Sequence, residues 1–532
     1  MAKKRIIPEG QCNFVLKLPL VNVTKEAADF LNKRFEICGR IYNEFQKKML
    51  RKYVYITQTR AYKDAPLYYK DCKKDENGNL LEKTKSDIIR DYTIPYEGTK
   101  GGQLHIFSKF SFFIYIGSLY SKTYSCIGIN TDILQSIAQT AWTAWEKKLN
   151  GKGKHINFKR EGEYNSYSIG VKQKSSGPYF NGIDITNIAM NCLGVKMNNG
   201  KRNKDAKWLN LKFGIKTDYE KEAMTNEIRQ ISFTREYIRG KWKYYVIFTL
   251  EGKKPNKGRK LGTGRIGIDI GCSTIAVASD DVVYMDTIAK NVPNTAKELK
   301  RLNRKIDRSR RAMNPENYNE NGTTKKKSEI TGWVTSNRCK KLQDKRKEIS
   351  RKQAACRKKC HIELANRLLC LGDEFIVEKN TYAAMAKRSK ETKTNAKGKF
   401  MPKKRFGRSI GNHAPATLIN LLENKVKGFG GKFARVDIKN AGSQFDFTDQ
   451  TFTPHDLPER RITLHNGNTH CRDTIAAFNL KNLDYNNEKL KVYNVQTMQE
   501  EYPKFCRMEQ EEITRLQNSH EPISCNFGIN KI

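Results

Sequence analysis

The chain has 532 residues, with 100 Lys and Arg against 56 Asp and Glu and a formal net charge of +44. A charge that large calls for a polyanionic partner held over a long contact, while 38% hydrophobic and 10% aromatic residues exclude a disordered basic tail. No run of about 18 apolar residues is present, which argues against a membrane-spanning helix, and the length exceeds what one compact domain usually holds.

The opening MAKKRIIPEGQ lacks the apolar stretch of a signal peptide. The 13 cysteines form no CxxC pair, so reduced thiols in a cytosolic setting are expected. Residues 12 to 20 alternate Phe14, Leu16 and Leu18 on one face, the pattern of a strand. Thr24 is placed to cap a following helix with Leu31, Phe35, Cys38, Tyr42, Phe45 and Met49 on its apolar side. Residues 50 to 129 carry no clear period; their aromatic run from Phe107 to Tyr120 suits a buried core or a base-stacking surface. A second helix follows Asn130, with Leu134, Ile137, Ala141 and Trp145 on one side.

Past residue 151 the pattern turns to strands. WLNLKFGIK (208 to 216) alternates strictly, and 229 to 251 read as a hairpin around Arg239-Gly240. The Gly- and Lys-rich stretch from Glu251 to Gly264 is a linker and the main boundary. RIGIDIG begins an apolar strand, Thr274 to Ser279 form a second, and Asp280-Asp281 turn the chain into a third. Two basic helices follow, about 294 to 312 and 335 to 370. The first bears a Leu299, Leu302, Ile306 stripe with Arg304, Arg308, Arg310 and Arg311 facing outward. The second repeats Leu342, Ile349 and Cys356 every seven residues, with Lys340, Lys341 and Arg346 on its cationic outer face. EFIVEKN returns to a strand, PATLINLLENKVK to a helix, KFARVDI to a strand, and the chain after about 484 is helical and locally acidic.

Three acids stand where a core would not want them. Asp269 interrupts the apolar strand IGIDIG, which is unfavourable unless the carboxylate is paired or bound to a metal. Glu378 ends the strand Phe375-Ile376-Val377. Asp473 opens a helix whose Ala476 and Ala477 permit close packing on a sheet, although a helix N-cap is the ordinary task of such an aspartate. Hydrolysis of a phosphodiester at neutral pH needs a strong nucleophile and relief of charge on the leaving oxygen. Two divalent metals supply both, and converging carboxylates are the hard oxygen ligands that hold magnesium.

The strand GIDIG with its hairpin, the basic helices, the strand IVE and the late D-x-x-A-A-x-N helix together resemble a split RuvC domain of the TnpB nucleases and the compact type V CRISPR effectors. The wide sequence separations between 269, 378 and 473 fit that pattern. LKRLNRKIDRSRRAM, the stretch from Gly407 to Gln444 and INFKREG (Ile156 to Gly162) extend the likeness, which is strong from 265 to 480 and diffuse before.

The resemblance implies a multidomain α/β protein: an RNase H-like (RuvC) domain with basic helical insertions, preceded by a β-rich wedge domain and an α-helical recognition domain. Residues 1–23 would give the first wedge strand, 24–150 the recognition domain and 151–258 the rest of the wedge. Residues 259–440 would hold the first two RuvC motifs, 441–470 a degenerate zinc-ribbon-like insert, and 471–532 the last motif and tail. It further implies a guide RNA and a target DNA duplex with a short flanking motif as partners. The catalytic trio would hold two magnesium ions, for which manganese can substitute. One or two copies would act on one RNA, in a prokaryotic cytosol and without a membrane.

Two departures from the family stand out. GSQFDFTDQ replaces the first CxxC pair of the ribbon, leaving only His455, His465, His470 and Cys471 before Asp473; zinc is therefore not expected, the alternative being an improvised site. Ile475 stands where the family more often has Asn. Cys356, Cys360 and His361 lie close on the second basic helix, as core residues or as ligands. No GxxxxGK[ST] loop is present, so ATP hydrolysis is not expected. Two other functions remain open on the same residues: a nuclease or transposition protein acting without RNA, and a guided DNA-binding repressor.

Overall fold

The computed structural model describes residues 11 to 519 and 527 to 529, apart from 74, 78–79, 100, 125–126, 154, 175–176, 199–205, 256–257, 259, 389–390, 393, 396–397, 399, 401–405, 437–441, 457 and 487–489. The chain divides into two compact units, Met1–Lys257 and Gly258–Ile532.

In the first unit, strand β1 (Cys12–Val21) leads into the long helix α1 (Lys25–Gln58), whose start is capped by Thr24 accepting from the Ala27 amide. Helices α2 (Lys109–Tyr124) and α3 (Thr131–Leu149) pack beside α1. Asn130 caps α3 through the Ile133 amide. The aromatic run that straddles α2 is mostly core: Phe107, Phe112 and Tyr120 are buried, whereas Phe110 is exposed. Trp145 is fully buried and satisfies its indole N–H on Gln46 Oε1 at 2.6 Å.

Seven further strands follow: β2 (Ser166–Lys174), β3 (Gly177–Phe180), β4 (Ile183–Asp184), β5 (Cys192–Lys196), β6 (Trp208–Phe213), β7 (Glu227–Ile238) and β8 (Lys241–Gly252). With β1 they close a barrel in the order β1-β8-β7-β2-β3-β4-β5-β6. Arg239 and Gly240 join β7 to β8 with φ of 50° and 78°. Two consecutive positive φ angles match the right-handed twist of a two-residue hairpin.

The second unit is built on a five-stranded sheet. Strands β9 (Arg265–Ile270), β10 (Thr274–Ala278) and β11 (Val283–Thr287) form an antiparallel meander. The chain then leaves through helices α4 (Ala296–Met313) and α5 (Asn337–Leu369). It returns as β12 (Glu374–Glu378), crosses through α6 (Pro415–Gly428) and ends the sheet with β13 (Lys432–Val436). The sheet order is β11-β10-β9-β12-β13, with β9, β12 and β13 parallel. Helix α7 (Arg472–Lys481) and helix α8 (Val495–Gln517) complete the unit.

Strand alternation sorts this sheet into two cores. Ile266, Ile268, Ile270, Phe375 and Val377 pack on one face with Leu364, Leu368 of α5 and Leu418, Leu422 of α6. Ile376, Ala276 and Met285 pack on the other face with Ile475, Ala477 and Phe478 of α7 and Phe505 of α8. Gly267 lies between Ile266 and Ile268 and so belongs to this second face. A Cβ there would come within 1.9 Å of the Ala477 carbonyl oxygen and 2.4 Å of the Lys481 nitrogen. The α7 backbone therefore rests directly on β9, which only a glycine permits.

Residues 442 to 471 contribute two small hairpins, Phe445–Asp446 with Thr451–Phe452 and Arg461–Thr463 with Thr469–Cys471. Their Phe445, Phe447, Ile462 and Leu464 are buried in the same core as α7. Buried Asn479 pins this segment to α7, its amide donating to the carbonyls of Gly442 (2.8 Å) and Phe445 (2.7 Å). Asn479→Ala strands two buried acceptors, so a loss of about 2 kcal/mol is expected. A lower urea midpoint at unchanged m value is the readout, and an unchanged midpoint refutes the role.

The segment after 484 is not helical from its start: Leu483–Asn486 pairs antiparallel with Leu490–Tyr493 before α8 begins. Two four-residue strands are too short to show a period against the long helical pattern that follows. No described helix is long and apolar enough to cross a membrane.

Candidate active site

β9 and β12 run parallel with Ile268 opposite Val377. One residue further along, Asp269 and Glu378 stand side by side at the carboxyl ends of their strands. Alternation turns both toward the α7 face, because their neighbours Ile268, Ile270 and Val377 fill the opposite core. This is the edge of a parallel sheet at which ligand sites are usually built.

Asp473 arrives from the first turn of α7. It does not cap the helix: Cys471 occupies the N-cap position, and no side-chain cap bond is made. Asp473 is instead free to face the sheet, where its charge and that of Glu378 both act on Asp269. The positive end of the α7 dipole favours an anion at that position.

Each of the three carboxyls is half-buried, and each is held above the usual carboxylate range. For Asp269 the rise is large, caused first by burial and then by the charges of Asp473 and Glu378, with Arg472 opposing. For Glu378 burial alone is the cause. For Asp473 burial dominates, partly offset by Arg472 and then Arg460. The Arg472 Nε atom lies 3.8 Å from Asp473 Oδ1. Like charges crowded into a partly desolvated place are what a divalent cation relieves, and three carboxylates form a hard oxygen set suited to magnesium. The acids are neighbours without closing on one point: among the described residues no three His, Cys, Asp or Glu side chains form a ready metal cage.

The surroundings fix the strand end. The Ile270 carbonyl, next to Asp269, accepts from the Tyr382 hydroxyl at 2.8 Å and the Asn380 amide at 3.1 Å. Under the start of α7, Glu509 accepts from the Cys471 amide at 2.9 Å and from the Thr474 hydroxyl. His470 is buried, with Nδ1 2.6 Å from Glu509 and Nε2 2.6 Å from the Tyr502 oxygen. Both ring nitrogens are thus engaged in the core. His455 lies against Glu459 and His465 near Asp449, so the residues considered for an improvised zinc site point to separate partners.

The basic candidates lie on the outer faces of α4 and α5. Arg304, Arg308, Arg310, Arg311, Lys340, Lys341 and Arg346 are all exposed. Arg311 pairs with Asp307 at 3.1 Å, Arg310 lies 3.6 Å over the Trp333 ring, and Arg346 donates to Asn303 at 3.3 Å. Leu302 and Ile306 are buried beneath them. On α5, Cys356 donates to the Asn291 carbonyl at 3.4 Å, while buried His361 sits 2.9 Å from the His413 carbonyl oxygen. These two point to different partners.

Sequence reasoning missed Tyr382, Asn380, Arg460 and Arg472. A signal existed for the first two, which follow Glu378 directly in EKNTY, and for Arg472, which immediately precedes Asp473. Arg460 is brought in only by the hairpin, whose backbone receives the Arg472 amide on the Arg460 carbonyl at 3.0 Å.

No family model matches the chain, and no curated protein does. Among solved structures the chain is similar to a Cas12f1–sgRNA–target DNA complex at 13% identity, covering 89% of this chain and 99% of that one with a TM-score of 0.42. It is similar to the mini-RNA-guided endonuclease CRISPR-Cas_phi3 at 10% identity, covering 88% and 91% with a TM-score of 0.31. A third likeness is to Alicyclobacillus acidoterrestris C2c1 in complex with single-guide RNA, at 8% identity, 89% and 73% coverage and a TM-score of 0.29.

Proposed function

We propose that the chain is an RNA-guided DNA endonuclease of the compact type V and TnpB kind, cutting through a single RuvC-type site formed by Asp269, Glu378 and Asp473. The observation that carries the reading is that Asp473 and Glu378 lie near enough for their charges to act on Asp269, with each of the three disfavoured in its charged form by burial. The sheet order, with an antiparallel meander and two parallel strands added beside its first member, supports an RNase H-like assignment. The net charge of +44 supports a nucleic-acid partner over a long contact.

In this reading Asp269, Glu378 and Asp473 hold two magnesium ions, which manganese can replace. Bound there, the metal supplies an activated water and neutralises charge at the scissile phosphate. The chain's own residues do the rest. Arg472 and Arg460 offset carboxylate charge beside Asp473. Tyr382 and Asn380 hold the Ile270 carbonyl and so orient the strand end that presents Asp269. The outward arginines and lysines of α4 and α5 grip phosphates. A guide RNA held on basic surfaces reads the target strand by pairing, and the protein reads a short flanking duplex motif.

The raised carboxyls give metal binding a pH dependence. Protons must leave before a cation binds, so affinity rises with pH up to the folded-state values. Tyr382→Phe removes one of two donors to Ile270 without touching the acids. Cutting about tenfold slower is expected, together with a stability loss of about 1 kcal/mol; wild-type rates would argue against this positioning role.

The reading as a whole is tested by purifying the protein from its host. A discrete RNA should accompany it and direct magnesium-dependent DNA cleavage. A preparation free of nucleic acid that still cuts DNA would overturn the guided reading and leave an RNA-independent nuclease.

A further inference from the structure

The first unit contains a built cationic pocket of about 340 Å³ between α1, the loop 159–164 and β7. Four cations line it, Arg40, Lys159, Arg160 and Arg235, against two carboxylates, Glu36 and Glu161. Its floor is unusual. Arg235 is 3% exposed, yet among the described residues it has no ion pair. Its guanidinium lies between the Trp242 ring (4.2 Å) and the Phe35 ring (5.0 Å). Among the described residues two donors are used: Nε to Asn165 Oδ1 at 2.9 Å and one terminal nitrogen to Asn32 Oδ1 at 2.6 Å. An arginine has five donors, and a buried charge is costly; the Glu36 carboxylate of the same pocket is the anion that favours it.

The wall facing Arg235 is fixed in advance. Asn43 of α1 donates to the Lys159 carbonyl and accepts from the Lys159 amide, both at 2.8 Å, so its side chain acts as a short strand. Glu163 accepts from the Arg160 amide at 3.0 Å and fixes the turn. Lys159 and Arg160 are thereby held at the rim without ordering on arrival of a ligand. Small-molecule sites are mostly lined by apolar side chains, whereas six of the eleven residues lining this pocket are charged.

We propose that this pocket seats a backbone phosphate of a nucleic-acid strand, with the Arg235 fork on a non-bridging oxygen and Arg40, Lys159 and Arg160 closing over it. Planar, multi-donor recognition of phosphate is the task to which an arginine fork is suited. The proposal deepens the nucleic-acid part of the function above and does not need the nuclease part, so its test is made in EDTA.

Binding of the full chain to a fluorescein-labelled hairpin RNA, and to a DNA duplex of equal length, is followed by anisotropy over a salt series. Lys159→Ala and Arg160→Ala are each expected to lower the slope of log affinity against log salt by about 1. Glu36→Gln, which removes an opposing charge, should tighten binding severalfold, an effect that a purely structural role for the pocket would not produce. Arg235→Lys keeps the charge but loses the fork and the bonds to Asn165 and Asn32, so a lower melting temperature and, at temperatures where the variant is folded, about tenfold weaker binding are expected. If that variant does not fold, Lys159→Ala, Arg160→Ala and Glu36→Gln carry the decision. Slopes that fall with RNA alone identify the occupant as RNA, and slopes that fall with DNA alone identify it as DNA. Slopes and affinities unchanged with both probes in folded variants overturn the proposal.

Discussion

Asp269→Asn is expected to abolish metal-dependent cutting, by at least about 10⁴-fold, while making the metal-free chain more stable at neutral pH. The two effects have one cause. Burial and the charges of Asp473 and Glu378 hold the Asp269 carboxyl well above the usual carboxylate range. Between the unfolded-state value, near 4 for an aspartate, and the raised folded value, the folded chain binds more protons than the unfolded one. Stability therefore falls as pH rises through that window, and the penalty is complete above it. An uncharged amide of the same shape removes the penalty. A gain of about 1 kcal/mol is expected at neutral pH, shrinking toward zero below the unfolded-state value. Thermal melts in EDTA across that pH range read the second effect, and cleavage assays with RNA-loaded protein read the first. RNA binding should be unaffected. Undiminished cleavage by this variant would sink the site assignment; lost cleavage without the pH-dependent gain in stability would sink the electrostatic account.

Gly267→Ala should be among the most damaging single-methyl changes in the second unit. Its Cβ would meet the backbone of α7 at Ala477 and Lys481, and backbone atoms cannot rotate aside. The helix must lift from β9, at a cost of about 3 kcal/mol. Asp473 rides on the same helix, so cutting should fall by on the order of 100-fold even at temperatures where the protein remains folded. Gly411→Ala is the matched control. It lies in the short helix Gly407–His413 with open space around its would-be Cβ, and a neutral or slightly stabilising effect is expected there. If both glycine variants melt alike, the close approach of α7 to β9 does not bear on stability.

The fold was legible where the pattern had a local cause. Arg239-Gly240 announced its hairpin because a tight turn between alternating strands demands residues that tolerate positive φ. Thr24 and Asn130 announced their helices because each caps one. The closure of β1 against β6 and β8, more than 190 residues later, has no local signal, since pairing partners are set by tertiary packing. In the candidate site, Asp269 stood out because alternation among Ile266, Ile268 and Ile270 leaves a carboxylate on a strand with apolar neighbours. Asp473 was the hardest of the acids to read, because an aspartate at a helix start ordinarily caps it; the structure gives the cap position to Cys471. Arg460 could not be found from sequence, because its nearness to Asp473 exists only once a hairpin has folded back.

The docking of α7 across Gly267 has a temporal meaning. A chain made from its N-terminus presents Asp269 and Glu378 well before α7 has been synthesised. Until that helix lands, the face of the sheet that carries both acids is uncovered, and its acidic cluster lacks a member. Truncated or half-made chains keep the basic helices α4 and α5 while lacking the last acid. On the proposed reading, any chemistry that needs all three acids is withheld until α7 has been made and has docked.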